Sequence, residues 1–408
     1  MAESGSLRPV RVRAGEELAH AHAVMRQFHE DATDQQLARW LPMLQRPDYR
    51  GWDVRDGTEV VGTYGVIASS VSVPGGGRLP AAAVTAVGVA QTHRRRGLLR
   101  SMMEAGLDEA VAHGEPVALL WASESAIYPR FGFGVVAPGV VHRLDRAPGF
   151  RDPVDPRLVR SATLEDVEHD WPEIFERLRD QRGGCVTRNE AQWRLEMLED
   201  PADERDGASG RRLVHVPGRG YAAYRVKPGT EPSTLPEGEV RVQELVATDP
   251  EAEAALWQHV CDVDLTTRVV AWMRPPDDAI SEMLIDPLRA RTAVGPPLYA
   301  RLLDVVAAFE ARAYHVVDRL TVAVDDPDRD QTGTYLLDAH PEGVEVRRVT
   351  DSPQLTLPIE AAAAVWLGGA RATHLLAARR IVEHEPGATA RLDRLLAVER
   401  LPWTPFEF

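Results

Sequence analysis

The sequence VGVAQTHRRRGLLR (residues 87–100) joins an apolar segment to a helix through three consecutive arginines. Upstream, LPAAAVTAVGVA (residues 79–90) is small, apolar and valine-rich, which predicts a strand buried on both faces. Downstream, apolar residues recur every four positions from Leu99 onward, as in an amphipathic helix, and Gly114 marks its end. The turn between the two elements contains Gly97, so the first N–H groups of the helix have no partner within it.

This turn has the properties of an anion site. Free N–H groups, the positive end of a helix dipole and the arginines at 94–96 all attract phosphate. A basic run is more often a solvated face, so charge alone does not decide between the two interpretations. Neither G-x-x-x-x-G-K-[ST] nor G-x-G-x-x-G with a following acidic residue is present, which disfavours ATP and NAD.

Arg94, two intervening residues and Gly97 match the [QR]-x-x-G-x-[GA] loop that binds coenzyme A pyrophosphate in the GCN5-related N-acetyltransferases (GNATs). Leu99 stands where that superfamily prefers a small residue. The chain more closely resembles the enhanced intracellular survival (Eis) family, aminoglycoside and polyamine acetyltransferases of three fused domains. The segments that carry this resemblance are VAQTHRRRGLLRSMM (89–103), ASESAIYPRFGFG (122–134) and the terminal FEF (406–408).

The resemblance implies an α/β and α+β protein, with two tandem GNAT domains followed by a sterol-carrier-protein-like α+β domain. Prolines and charges interrupt the apolar periodicity near residues 145–157 and 289–297, which predicts the boundaries there. We therefore expect a catalytic domain at 1–150, a non-catalytic GNAT-like domain at 151–292 and the sterol-carrier-like domain at 293–408.

Acetyl-CoA is the co-substrate that the resemblance implies. A backbone N–H exposed where the central strand bulges or splays, around residues 87–89, would stabilise charge on the thioester carbonyl oxygen. The residues expected to bind acetyl-CoA are Val87, Gly88, Val89, Arg94, Arg95, Arg96, Gly97, Leu98, Leu99, Arg100, Ser123 and Glu124.

Acetyl transfer also needs an acid for the departing thiolate and an acceptor for the amine proton. Tyr128 matches the general acid of the family by its place in ASESAIYPRFG, although an aromatic residue in such a segment more often serves packing. The tail LPWTPFEF (401–408) stays aromatic to its last residue, which predicts docking into a groove, because chain ends are usually polar and frayed. The resemblance makes the terminal carboxylate of Phe408 the proton acceptor, with water passing the proton onward.

The net charge of −15 disfavours nucleic acid as a partner and favours cationic substrates, although ordinary solubility explains such a charge equally well. Glu30, Trp40 and Glu407 are the expected contacts for an ammonium group, the indole through cation–π packing. The predicted function is acetyl-CoA-dependent N-acetylation of polycationic small molecules, aminoglycosides and polyamines, at one or more positions. The alternatives are a protein lysine acetyltransferase and a non-catalytic carrier of apolar ligands that uses the C-terminal domain.

No metal is expected. Cys185 and Cys261 form no C-x-x-C pair, and DDPDRDQTG (325–333) lacks the glycine and the glutamate of a calcium-binding loop because Gln331 and Leu337 occupy those positions. The sequence shows neither a signal peptide nor a membrane span, so we expect a cytoplasmic protein. Family resemblance suggests a homohexamer.

Overall fold

The computed structural model describes residues 7–229, 237–340 and 343–408. The first part of the chain forms strands β1 to β6 at Pro9–Arg11, Tyr49–Asp56, Glu59–Ser72, Arg78–Val89, Val117–Trp121 and Gly134–Asp145. Its helices α1 to α4 span Glu17–Gln27, Asp34–Ala38, Leu41–Leu44 and Leu98–Ala112.

The central part forms strands β7 to β12 at Arg160–Ser161, Arg212–Val216, Gly220–Lys227, Gly238–Ala247, Thr266–Arg274 and Arg291–Leu302. Its helices α5 to α8 span Leu164–Gln181, Glu190–Trp193, Pro250–Cys261 and Ile280–Met283. The last part forms β13 to β17 at Asp318–Asp325, Gly333–His340, Gly343–Val349, Leu355–Pro358 and Val382–Glu383. Its helices α9 to α12 span Val305–Glu310, Ile359–Trp366, Ala372–Ala377 and Ala388–Leu395.

The predicted strand, turn and helix around the arginines are confirmed. β4 contributes fully buried alanines to the core, and α4 begins directly after Gly97, whose φ of 80° suits glycine. The predicted apolar stripe of α4 includes Met102, Met103 and Leu107, all buried against the sheet. The helix ends at Ala112, and its C-cap residue His113 directly precedes Gly114.

The first two parts share one twelve-stranded sheet, in the order β1-β2-β3-β4-β5-β12-β6-β11-β10-β9-β8-β7. Each half contains antiparallel strands that lead into a strand–helix–parallel-strand unit, β4-α4-β5 in the first half and β10-α7-β11 in the second. The halves exchange their last strands. β6 pairs with β11 of the second half, and β12 pairs with β5 of the first half.

Strand β12 is an element that the sequence did not predict. Gly295, Pro296 and Pro297 in its middle indicated a loop, because proline cannot donate to a strand ladder. The structure places them at a shift in the β12–β6 register between Gly295 and Leu298, where the ladder is interrupted. The predicted domain limit at 292/293 falls within this strand.

The last part is an α+β unit that packs against the large sheet. Its five strands run in the order β15-β14-β13-β16-β17, and its helix α10 lies against β6 and β12. Trp366 in α10 is fully buried and donates its indole N–H to the carbonyl oxygen of Ala308. The expected combination of α/β and α+β architecture is confirmed.

Gly134 allows α10 to approach β6 closely. A Cβ atom at this position would lie 1.9 Å from the main-chain oxygen of Glu360. We expect Gly134→Ala to lower the free energy of unfolding by about 1–3 kcal/mol, because neither backbone can move aside cheaply. Gly333→Ala is the matched control, since its Cβ would meet only ordinary contacts of 3.5 Å or more. Equal denaturant midpoints for the two variants would contradict this account.

Across the described residues, the helices are too short or too polar to span a lipid bilayer. Both cysteines are buried and unbridged, and burial raises the pKa of each thiol.

Candidate active site

A cleft opens where β4 and β5 separate. The two strands pair only from Ala81 to Val84 on β4 and from Val117 to Leu120 on β5. β4 continues to Val89 paired with β3, and among the described residues its edge facing β5 has no ladder partners beyond Val84. The resulting cleft has a volume of about 630 Å³. Its floor is therefore strand backbone with N–H groups that are free to bind a ligand.

A bulge in β4 shapes this floor. Ala86 has a φ of 54°, a conformation that costs energy for a residue with a Cβ, and lies one position before the segment where a bulge was predicted. The buried hydroxyl of Thr63 lies 2.8 Å from the Ala86 carbonyl oxygen and 2.7 Å from the side-chain amide oxygen of Gln27. Gln27 in turn covers Gly88, where a Cβ would lie 2.1 Å from that oxygen. The side chains of Thr63 and Gln27 therefore support the bulge.

The arginine turn forms one end of the cleft. Arg95 and Gly97 both adopt the left-handed conformation, with φ values of 63° and 80°, and α4 starts immediately after them. This geometry turns the first N–H groups of α4 toward the cleft. Arg96 is not among the residues that line the cleft. Its guanidinium donates a hydrogen bond to the carbonyl oxygen of Thr92 at 3.1 Å. Arg100 lies 3.5 Å from Asp328 of the last domain and 3.7 Å from Glu104.

Most of the residues predicted to bind acetyl-CoA line this cleft. Those at the cleft surface are Val87, Gly88, Val89, Arg94, Arg95, Gly97, Leu98, Leu99, Arg100, Ser123 and Glu124. The sequence did not single out Gln27, Phe28 and His29, which line the cleft from the end of α1. They carry no recognisable motif, and only the folded position of α1 brings them there.

Tyr128 also lines the cleft, from the first position of a 3₁₀ turn that spans Tyr128–Phe131. The side chain is 8% exposed and its ring packs edge-on against Phe133, with centroids 6.1 Å apart. Burial, with a smaller contribution from the charge of Glu124, raises the pKa of Tyr128 to about 12. The hydroxyl therefore remains protonated at neutral pH and can donate a proton.

The C-terminal tail (residues 401–408) is docked along its length. Trp403 donates its main-chain N–H to Gly183 at 2.9 Å and its indole N–H to Met273 at 2.6 Å. Phe408 then reaches the first half of the sheet, where its ring lies 6.5 Å from that of Trp121. It also packs on the cluster that contains Tyr49 and Ala83. The docking predicted from the aromatic residues is observed, and the last residue lies against β5, close in sequence to the cleft residue Ser123.

Arg188 packs against the tail, a contact that no sequence motif predicted. Its guanidinium carbon lies 4.1 Å from the ring centroid of Phe406 and 4.4 Å from that of Trp193, between the two. Its charge is balanced by Glu244 at 2.7 Å and Glu196 at 3.0 Å. Such a buried, paired and stacked arginine fixes its neighbours in one arrangement. Nothing in the sequence around position 188 distinguishes it from the other arginines.

An acidic region adjoins the tail. Burial raises the pKa of Glu196 to about 7, Arg188 opposes that rise, and the nearby charge of Glu407 adds to it. Glu407 itself is exposed beside Phe408. Carboxyl groups are therefore clustered next to the end of the chain, and burial favours the protonated form of Glu196.

Two of the predicted substrate contacts lie outside the acetyl-CoA cleft. Glu30 lines a separate groove of about 310 Å³ with His22 and Arg26. Trp40 precedes α3, with 39% of its surface exposed, and is not among the residues that line the cleft.

The chemistry of the cleft suits acetyl-CoA. A helix N-terminus beside Arg94 and Arg95 matches a pyrophosphate, and the open space around Gly97 allows a ligand to approach the main chain. The free edge of β4 matches a chain of amides, as in pantetheine, because such a chain can extend the ladder. When bound, acetyl-CoA supplies an activated acetyl thioester.

Family models agree with this geometry. Two acetyltransferase (GNAT) domain models match residues 10–136 and 184–302, and a sterol carrier protein domain model matches residues 305–405. An uncharacterized N-acetyltransferase from Streptomyces avermitilis is 38% identical over 372 residues, which cover 88% of this chain and 89% of that protein. N-acetyltransferase Eis from Mycobacterium tuberculosis is 32% identical over 375 residues, 87% of this chain and 88% of that one.

Solved structures agree as well. Eis1 from Mycobacterium abscessus superimposes with a TM-score of 0.85 at 29% identity, over 99% of this chain and 100% of that one. A GCN5-related N-acetyltransferase from Kribbella flavida has a TM-score of 0.78 at 21% identity, over 98% of this chain and 100% of that one, and so shares the fold.

The splayed strand pair, the arginine turn and the two matched GNAT domains define an N-acetyltransferase, a class whose fold implies acetyl-CoA as co-substrate and an amine as acceptor. Within that class, the chain belongs to the Eis family.

Proposed function

We propose that this enzyme acetylates polycationic small molecules, aminoglycosides and polyamines, at one or more of their amino groups. In this proposal the residues that line the cleft bind acetyl-CoA, with Arg94 and Arg95 at its phosphates. Tyr128 donates the proton that the departing thiolate requires. The terminal carboxylate of Phe408 orients the amine and accepts its proton, with water passing the proton onward.

The observation that carries this proposal is the position of the tail. Residues 401–408 cross from the second half to the first and end with Phe408 packed on Trp121, at the end of β5. The side chain of Phe408 packs on the side of the sheet opposite α4, because Ala83 packs toward Phe408 while Ala82 and Val84 pack toward α4. The amine would then approach from the face that the helix leaves open.

Charge supports a cationic acceptor. The chain carries a net charge of −15, and Glu407 adds an exposed carboxylate beside the terminus. Such a field raises the local concentration of polyamines and accelerates their encounter with the site. Raising the ionic strength should therefore lower kcat/KM for polyamines more than kcat.

The direct test measures free coenzyme A released from acetyl-CoA with a panel of polyamines, aminoglycosides and a lysine-containing peptide. Mass spectrometry of each product counts the acetyl groups. We expect turnover of the polycations and little of the peptide. Preferential acetylation of the peptide would instead favour a protein lysine acetyltransferase, and the absence of any turnover would contradict the proposal.

The interior of the last domain bears on the carrier alternative. The apolar cavity lined by Phe309, Val322 and Leu357 has a volume of about 10 Å³, roughly the space of one water molecule. A carrier of sterols or acyl chains needs a far larger cavity. This packing supports the transferase over the carrier.

The bulge at Ala86 should affect the rate of acetyl transfer. Thr63→Val keeps the shape of the side chain but removes the hydroxyl that faces the Ala86 carbonyl oxygen and Gln27. We expect kcat to fall by about tenfold, because a buried carbonyl left unpaired costs ~1–3 kcal/mol and the strand can relax to avoid that cost. Thr63→Ser is the control that restores the hydroxyl. Unchanged kcat in Thr63→Val would show that the bulge does not need this contact.

We also propose that the chain self-associates, with the homohexamer as the expected form. Leu288 and Val294 are 83% and 93% exposed, and association with another subunit would remove such apolar side chains from water. Light scattering coupled to size-exclusion chromatography gives the mass directly, and a monomeric mass would contradict the proposal.

A further inference from the structure

We propose that the second half of the large sheet carries a site for one divalent transition-metal ion, formed by Asp166, Asp170 and His215. One ligand atom from each of these residues lies within 4.8 Å of the other two. All three lie on α5 and β8, outside the cleft between β4 and β5, so the site is independent of the acetyl-CoA site.

The fold brings the three side chains together. Asp166 and Asp170 are one turn apart on α5 and therefore share a face of the helix. His215 pairs in register with Tyr221 of β9, so that the two side chains point to the same side of the sheet. Tyr221 stacks on Trp171 with ring centroids 4.2 Å apart. Because Trp171 follows Asp170 directly, this stack places His215 beneath the acidic face of α5.

Asp166 is already oriented. Its Oδ2 accepts hydrogen bonds from the main-chain N–H of Thr163 at 2.6 Å and from the Thr163 hydroxyl at 2.7 Å, in a capping box at the start of α5. Oδ1 takes no part in these bonds. One ligand is therefore fixed in place before any ion binds, which lowers the entropic cost of binding.

Apart from the hydrogen bonds that Thr163 donates to Asp166, the described residues around the three groups do not balance their charge or pair the buried imidazole nitrogen. His215 is 6% exposed, and its buried Nδ1 has no hydrogen-bond partner in the described parts of the chain. Within the same residues, neither Asp166 nor Asp170 has an arginine or lysine nitrogen within 4.0 Å. Two carboxylates one turn apart repel each other when nothing balances them, and buried imidazoles are rarely left unpaired. A bound cation would satisfy all three groups at once.

The ligand set selects the kind of ion. One imidazole with two carboxylates suits Zn²⁺ or Mn²⁺, whereas Mg²⁺ and Ca²⁺ prefer oxygen ligands alone. Tetrahedral zinc with bonds of about 2.0–2.1 Å brings ligand atoms to about 3.4 Å from one another. The three ligand atoms lie within 4.8 Å of one another, so binding would require side-chain movements on the order of 1 Å. Three protein ligands leave a position for water, and the ion would tie α5 to β8.

Calorimetric titration of the EDTA-treated, full-length protein with ZnCl₂ tests the site. We expect one equivalent to bind tightly to the wild type and to raise its Tm. Asp170→Asn should bind at least ten times more weakly, and its Tm should respond correspondingly less. Glu173→Gln removes an exposed carboxylate from the same helix and should behave as wild type. His215→Gln should lose the binding as well, provided that it folds.

Two outcomes would overturn the site. One is no zinc uptake by the wild type. The other is equal uptake by wild type and Asp170→Asn, which would assign the zinc to other histidines of the chain. Neither outcome depends on acetyl transfer, so this test stands or fails separately from the proposed function.

Discussion

Tyr128→Phe is expected to lower kcat for amine acetylation by about 100- to 1,000-fold, in the range that loss of a general acid causes. The ring would keep its contacts with Phe133 and Tyr299, so the fold and the binding of acetyl-CoA should change little. Steady-state kinetics and equilibrium binding of coenzyme A measure the two effects separately. Tyr299→Phe is the matched control, because Tyr299 is a buried tyrosine beside Tyr128 that does not line the cleft.

The pH dependence provides a second check on Tyr128. Its pKa is raised to about 12, so the hydroxyl carries its proton below that pH and loses it only above. The wild-type rate should therefore show no decline from ionisation of this residue between about pH 6 and 10. Equal kcat for wild type and Tyr128→Phe would rule out the acid role while leaving the enzyme an acetyltransferase.

Deleting Phe408 is expected to lower kcat by at least about 100-fold, because the carboxylate would move by one residue from the position where it accepts the proton. The rest of the tail should stay docked, since Trp403 and Phe406 are bound upstream by the second half of the sheet. Acetyl-CoA affinity should consequently persist. Turnover equal to wild type would refute the role of the terminal carboxylate.

Two variants separate the carboxylate from the ring of Phe408. One glycine added after Phe408 keeps the ring against Trp121 but displaces the carboxylate, so we expect a loss as large as that of the deletion. Phe408→Ala keeps a carboxylate at the same chain position and should lose less. The opposite order would assign the effect to packing of the ring.

The parts of the fold predicted well are those whose signals are local. The strand at 79–90, the glycine at 97 and the periodic helix after it are neighbours in sequence, so each restricts the next. The docked tail was predictable for a different reason, because aromatic residues at a chain end are costly to leave in water. These features suffice to recognise the class of enzyme.

The parts that escaped prediction depend on contacts between distant segments. The sequence of β12 is typical of a loop, and the segment forms a strand because it pairs with β5 on one side and β6 on the other. The pairing of Thr63 with Gln27 joins β3 to α1 and leaves no spacing pattern. The sequence around Arg188 likewise does not distinguish it from the other arginines, because its role depends on the contact with Phe406 in the folded chain. Glu30 and Trp40 stay predictions as substrate contacts, since their positions outside the acetyl-CoA cleft do not show where the amine binds.

The exchange of last strands between the halves has a consequence for synthesis of the chain. A ribosome that has completed β5 must still make the whole second half before β12 can occupy the place beside it. Until then the nascent chain presents an open strand edge, which is a template for mispairing. The first 150 residues are therefore a poor choice for a minimal catalytic fragment, because they lack β12. Neither half can be transferred to another protein as a separate module, because each half needs a strand that the other half supplies.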